Sequence, residues 1–264
     1  MKQKKKDESQ KISQREKIKD SLNVRSLKWT EKQKQFIELA TNKDTRIIFV
    51  NGPAGTSKSI IATYVSLLLL NDKKVSDIIY VRSAVESSDS KIGFLPGDAS
   101  EKLQFYNLPF LEKLDELLSR AEVDKLEKEE RISMYPINYA RGMSWAAKSI
   151  ILDECQNSTK KEIITVLTRL GEFSRCFVLA DPMQTDLPPN KAGGFEDLFH
   201  LFSDEDSKSM GIYTFTFDEE DIVRSKIVKF IVNKLKSSNN YVMPPFGEWL
   251  CQLFLTLKRL FLSK

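Results

Sequence analysis

The chain has 264 residues, enough for a complete core, and its 41% hydrophobic and 10% aromatic content is that of a globular protein. Its net charge of +4 is concentrated at the start, where residues 1–28 hold ten Lys/Arg against four Asp/Glu. The rest is slightly acidic, which excludes a uniformly basic nucleic-acid-binding surface but leaves room for a local basic stripe.

Met1–Lys28 is rich in Lys, Gln, Ser and Asp, and reads as a disordered, basic, flexible arm. From Trp29 onward, apolar runs alternate with helical patterns, the signature of an α/β domain with a mostly parallel sheet flanked by helices. The predicted strands are Arg46–Val50, Asp77–Val81, Ile132–Tyr135, Ser149–Leu152, Cys176–Ala180 and Ile212–Phe217. The predicted helices are Glu31–Thr41, Lys58–Asn71, Glu101–Arg120, Lys160–Leu170, Gly194–Phe202 and Ile222–Lys236. This core domain spans 29–236. Residues 237–264 read as a proline-containing hinge followed by an apolar helix, Phe246–Leu262, whose narrow polar stripe suits docking on the body or on a neighbouring subunit better than membrane contact. Cys155, Cys176, Cys251 and the single histidine, His200, lie too far apart in sequence for zinc-ligand spacing. Sparse cysteines and the absence of a secretory pattern at the start point to a cytoplasmic setting.

The first chemistry-bearing motif is Asn51–Ser59, NGPAGTSKS, between a strand and a helix. A strand, a glycine-containing loop and a helix N-terminus present backbone N–H groups to a polyphosphate. The cofactor-binding positions are therefore Gly52, Pro53, Ala54, Gly55, Thr56, Ser57, Lys58 and Ser59. Lys58 supplies a cation for the β- and γ-oxygens of a triphosphate, and the Ser59 hydroxyl is a ligand for Mg²⁺. Ser57 stands where G-x-x-x-x-G-K-[ST] has glycine.

The second motif is Lys148–Asn157, KSIILDECQN, an apolar strand ending in two acids, the Walker B arrangement. Asp153 is the second metal residue and Glu154 the group that orients or deprotonates water. A third strand end carries Ala180–Gln184, ADPMQ, with Gln184 placed to sense a γ-phosphate.

The order of these motifs resembles the PhoH family, RecA-like P-loop NTPases related in their core to superfamily 1 helicases. The resemblance runs from about Trp29 to Leu235 and is carried also by Tyr80–Glu86 (YVRSAVE), Gly93–Glu101 (GFLPGDASE) and Tyr139–Gly142 (YARG). It implies an ATP-binding domain, ATP hydrolysis with Mg²⁺, and a link to RNA metabolism. By the same resemblance Gln33, in WTEKQ, is the adenine-reading glutamine, and Arg224 is a charge-stabilising catalytic residue, with Arg82 and Arg141 as further candidates. The chain departs from the family pattern at Ser57, Ser83 and Ala180.

The leading reading is an ATPase coupled to RNA or another single strand. With one phosphate loop and no second RecA-like half, gripping a strand would call for a homo-oligomer. A nucleotide-gated binding module with little hydrolysis and a P-loop kinase of a small acceptor remain alternatives. Glu154 beside Asp153, with Gln184 nearby, suits water better than an acceptor hydroxyl.

Overall fold

The computed structural model describes residues 17–83, 99–188 and 190–223, the side chains of 99–107 excepted, together with Ile227, Phe230 and Lys234. The chain divides into two units, Met1–Val223 and Arg224–Lys264. Residues 1–16 of the expected arm, Arg224 and the Phe246–Leu262 helix lie outside the described residues.

One parallel sheet forms the centre of the first unit. Its strands are β1 (Ile47–Asn51), β2 (Asp77–Arg82), β3 (Ile132–Pro136), β4 (Lys148–Asp153), β5 (Arg175–Ala180) and β6 (Ile212–Thr216), in the order β3-β2-β4-β5-β1-β6. Every residue of β5 is buried, whereas the edge strands β3 and β6 are mostly half-buried. That contrast is what covering both faces of a parallel sheet produces.

Alternation along the strands distributes side chains between two cores. Ile48, Val50, Ile151, Phe177 and Leu179 join one cluster, while Phe49, Ile150, Leu152, Cys176 and Val178 join the other. The first is covered by α1 (Glu31–Thr41), α2 (Lys58–Asn71), α3 (Ala99–Leu117) and α4 (Arg120–Lys128), through Phe36, Ile61, Phe110, Val123 and neighbours. The second is covered by α5 (Lys160–Leu167) and α6 (Gly194–Leu201), through Ile163, Val166, Phe195 and Leu198. A short α7 (Glu205–Ser209) precedes β6.

Strand positions follow the sequence expectation to within a residue or two, and α1 and α2 begin and end where the pattern predicts. Four differences remain, the two shortened helix ends counted as one. The expected helix through Arg120 stops at Leu117, because Ser119 leaves the helical region and starts α4 with a capping box; the Glu122 carboxylate accepts from Ser119 N at 2.9 Å and Oγ at 2.6 Å. The helix after Lys160 ends at Leu167 rather than Leu170, and α6 stops one residue short of Phe202. The helix expected from Ile222 begins later, since Ile222 and Val223 follow a 3-10 turn at Glu219–Asp221 without being helical; Ile227, Phe230 and Lys234 are helical.

The fourth difference concerns the arm, which was expected to extend to Lys28. Residues 17–28 lie on the body: Ile18 and Leu22, four apart, are 2% and 6% exposed and join the first core, with Val24 and Leu27 against it. Asn71 fixes this segment by accepting from Leu22 N at 2.8 Å and donating to Leu22 O at 2.9 Å. Arg25 N donates to Leu117 O at 2.8 Å. The charge-rich composition concealed two apolar anchors.

Candidate active site

Three strand ends and one helix start converge at the carboxyl edge of the sheet, where ligands gather in open α/β folds. β1 runs into the loop 52–57, which enters α2 at Lys58. A Cβ on Gly52 would lie 2.8 Å from Phe217 Cβ, so close approach of the post-β6 chain requires glycine there. Gly55 has φ +87, and Ser57 has φ 67 and ψ 22, a left-handed conformation that glycine enters more easily. The departure seen in the sequence thus falls on a residue whose backbone favours the missing glycine. Ser57 makes no side-chain cap bond to α2. The loop is braced from within by Thr56 Oγ1, which donates to Pro53 O at 2.9 Å.

Lys58 folds back on the loop, its Nζ donating to Gly52 O at 2.6 Å and Pro53 O at 3.0 Å. Burial pulls its ammonium below the usual lysine value, an effect that Asp181, Asp153 and Glu154 oppose. Among the described residues this desolvated cation is held by two backbone carbonyls, which the stronger acceptors of a phosphate can replace.

Asp153 is the hub of the site. The two-residue period that sends Ile151 to the first core places Asp153 on the same face, toward the start of α2. Its Oδ1 accepts from Ser59 Oγ at 2.9 Å and from Glu154 N at 3.1 Å, and its Oδ2 from Tyr80 Oη at 2.7 Å. Tyr80 is stacked on Phe110 with ring centroids 4.7 Å apart. Burial and the neighbouring Asp153 raise the Tyr80 phenol well above its ordinary value, so it remains a donor. Among the described residues no three His, Cys, Asp or Glu side chains form a metal cage. Ser59 and Asp153 offer one hydroxyl and one carboxylate, the sparse oxygen set suited to an ion that keeps most of its water.

Glu154 follows in a left-handed conformation, φ 57. Gln156, only 3% exposed, donates to Glu154 Oε2 at 2.6 Å, while its own Oε1 accepts from Asp181 N at 3.0 Å. It therefore ties the acid after β4 to the strand end of β5. Gln184 stands exposed beyond that end, its N–H donating to Asp181 O at 2.9 Å. Arg82 lies abreast of Asp153 on β2. Lys113, from α3, has its ammonium lowered by burial, an effect opposed by Asp153 and reinforced by Arg82, and donates to Pro109 O at 2.7 Å. Arg141 is exposed after the edge strand β3.

Gln33 is 1% exposed and occupied. Its Oε1 accepts from Thr30 N at 2.9 Å in the capping box of α1, and its Nε2 donates to Thr56 O at 3.3 Å. So placed, it braces the loop, and base reading would need both bonds released. Sequence reasoning passed over Tyr80, Lys113 and Gln156. Tyr80 and Gln156 stood inside motifs already noted, YVRSAVE and KSIILDECQN, without a role assigned to them; Lys113 stood in none.

A family model described as PhoH-like protein matches residues 27–236, which contain the whole sheet and every site residue named above. The chain belongs to this family. A PhoH-like protein of Synechocystis is 32% identical over 216 residues, covering 82% of this chain and 63% of the relative. One from Bacillus subtilis is 32% identical over 207 residues, 78% and 63% respectively. Protein PhoH of Escherichia coli is 33% identical over 199 residues, 75% and 54%. The matched region thus spans less than two thirds of each of these relatives. The PhoH-like assignment and the parallel α/β sheet together fit a P-loop NTPase. Among the described residues no helix is long and apolar enough to cross a membrane.

Proposed function

We propose that this PhoH-like chain binds ATP with Mg²⁺ and hydrolyses it, with turnover coupled to RNA or another single-stranded nucleic acid. The observation that supports this most is the 2.9 Å bond between Ser59, at the start of α2, and Asp153, at the end of β4. It brings the loop and the acid pair together across 94 residues of sequence.

In this reading the backbone of residues 52–57 wraps the phosphates, and Lys58 leaves the Gly52 and Pro53 carbonyls for the β- and γ-oxygens. Ser59 and Asp153 would hold Mg²⁺, which when bound withdraws charge from the phosphate oxygens. Glu154, oriented by Gln156, holds the attacking water and accepts its proton. Gln184 meets the γ-phosphate, and Gln33 sets the shape of the loop beneath the nucleotide. Arg224 and Arg82 stabilise developing charge, and a homo-oligomer supplies the second half of a strand grip.

Phosphate release from Mg·ATP, measured with and without single-stranded RNA, single-stranded DNA and small hydroxyl acceptors, tests the proposal. The expected result is hydrolysis that a strand stimulates and that Lys58→Ala nearly abolishes. Transfer to an acceptor would make the chain a kinase. Binding without release would make it a nucleotide-gated module.

A further inference from the structure

Among the described residues five lysines are half-buried, Lys32, Lys58, Lys113, Lys125 and Lys148. Burying an ammonium is costly unless something answers its charge. Lys32 is paired with Asp218, Lys125 with Asp20 and Lys148 with Asp77. Lys58 and Lys113 have no carboxylate partner among the described residues. Each donates to backbone carbonyls instead, Lys58 to Gly52 and Pro53, and Lys113 to Pro109 at 2.7 Å. The phosphate loop gives Lys58 its task, whereas Lys113 stands outside every motif that marks the site.

The place of Lys113 on α3 is fixed by its neighbours. Phe110, fully buried, stacks on Tyr80 with ring centroids 4.7 Å apart, and Tyr80 Oη donates to Asp153 Oδ2 at 2.7 Å. Lys113 is three residues on from Phe110 and shares its face of the helix. Leu114 and Leu117, also fully buried, hold the next turn in the first core. A helical side chain leans toward the N-terminus of its helix, and the lysine stem does so here: Pro109 O belongs to the peptide that leads into Phe110, so the ammonium lies beside the Phe110–Tyr80 stack. Burial holds that ammonium below the ordinary lysine value; Asp153, Glu112 and Glu154 oppose the shift and Arg82 adds to it. The same acid pair, Asp153 and Glu154, faces Lys58.

These two acids follow from β4, which the sheet order sets between β2 on one side and β5 and β1 on the other. Lys58 comes from the loop after β1, and Lys113 from the helix that packs on β2. We propose that Lys113 is a second phosphate-binding cation of the nucleotide site, its ammonium leaving Pro109 O for the γ-phosphate of a bound triphosphate on the side opposite Lys58. This rests on the reading of the site as one for Mg·ATP. Phosphate oxygens are stronger acceptors than an amide carbonyl, and the charge-assisted bond to them is the stronger one. An ammonium on a flexible stem changes partner without moving its helix. The γ end is the end that meets it, because the metal residue Asp153 and the water-holding Glu154 stand at the terminal phosphate. A diphosphate reaches Lys58 and not Lys113, so Lys113 sets the preference for triphosphate over diphosphate. In hydrolysis the charge spread over the three γ-oxygens meets a cation already in place.

Calorimetry on the full chain tests this with the Mg²⁺ complexes of ADP and of the β,γ-imido analogue of ATP. Lys113→Met keeps an unbranched stem and removes the charge. It should weaken binding of the triphosphate analogue about tenfold or more and leave that of ADP within about twofold of wild type. Lys113→Arg, which keeps the charge, should lose less. Lys125→Met, whose lysine is paired with Asp20, should change neither affinity. Thermal midpoints check folding, and Lys113→Gln replaces the methionine variant if that one does not fold. An unchanged ratio of the two affinities in Lys113→Met, an equal loss for both nucleotides, or a loss as large in Lys113→Arg would overturn the proposal. Phosphate release from Mg·ATP by the same proteins separates it from the ATPase reading. A wild-type chain that binds neither nucleotide sinks both. A shifted ratio without release by wild type keeps the role of Lys113 and rejects hydrolysis, and release with an unchanged ratio rejects Lys113 alone.

Discussion

Replacing Tyr80 by phenylalanine removes one oxygen from the site and leaves its packing in place. The ring is 2% exposed and nearly parallel to Phe110, with an interplanar angle of 11°, and phenylalanine can keep that stack. The hydroxyl, however, is the donor at 2.7 Å to Asp153 Oδ2, while Ser59 and Glu154 N both serve Oδ1. A hydrogen bond to a charged group contributes about 1.5–3 kcal/mol, and a buried acceptor left without its donor loses on that scale. For Tyr80→Phe we expect a loss of about 2 kcal/mol. In a chain of this size each kcal/mol moves the thermal midpoint by about 2–4 °C, so the midpoint should fall by about 4–8 °C. Urea unfolding should give the same difference with an unchanged slope. Because the phenol is raised well above its ordinary value, the loss should be constant from about pH 6 to about pH 9. A second readout separates positioning from packing: the Mg²⁺-dependent part of ATP affinity should fall, whereas affinity measured in chelator should not. A midpoint within about 1 °C of wild type, equivalent to under about 0.5 kcal/mol, would refute the role given to this bond.

Glu154→Gln should retain Mg·ATP binding and lose turnover, because an amide fits beside Gln156 but accepts no proton; calorimetry and single-turnover phosphate release check the two halves. Ser57→Gly relieves a left-handed residue, a gain of about 1–2 kcal/mol partly offset by the freer unfolded chain, so the thermal midpoint should rise by about 1–4 °C. An unchanged midpoint would show that serine is at ease there. Lys58 is lowered from 10.5 by burial, so the unfolded chain holds that proton more tightly. Its contribution to stability therefore rises with pH between the lowered value and 10.5, while ATP affinity falls over the same window; titrations from about pH 8 to about pH 10 should show that fall in wild type and not in Lys58→Arg. Leu22→Ala, which empties the anchor of the 17–28 segment, should cost about 2–3 kcal/mol in urea unfolding. A surface-like cost under about 0.5 kcal/mol would mean the segment is not held.

Local pattern was enough to locate the six strands, the helices α1 and α2, the glycine-containing loop and the acids that end β4. These rest on a period of two or 3.6 residues, on apolar runs, and on which residues can turn a chain, all written within a few neighbouring positions. The Ser57 departure was equally visible, but its left-handed backbone was not, because dihedrals follow from how β1 is joined to α2. Likewise, an average over the 28 charge-rich residues at the start hid Ile18 and Leu22, whose segment is held by α2 and α4 through Asn71 and Glu122. Tertiary structure alone decided the contacts between distant segments. Tyr80 and Asp153 are 73 residues apart and meet only because β3 goes to the outer edge and β4 returns to pair with β2. Gln33 is bound to Thr56 because α1 packs on α2 beneath the loop, a placement its helical period could not announce. The same sheet order sets Arg46 beside Arg175, 129 positions apart, at the start of neighbouring strands. A sequence states which face each side chain takes along its own strand; which strand lies next to it is set by the packing of all the layers together.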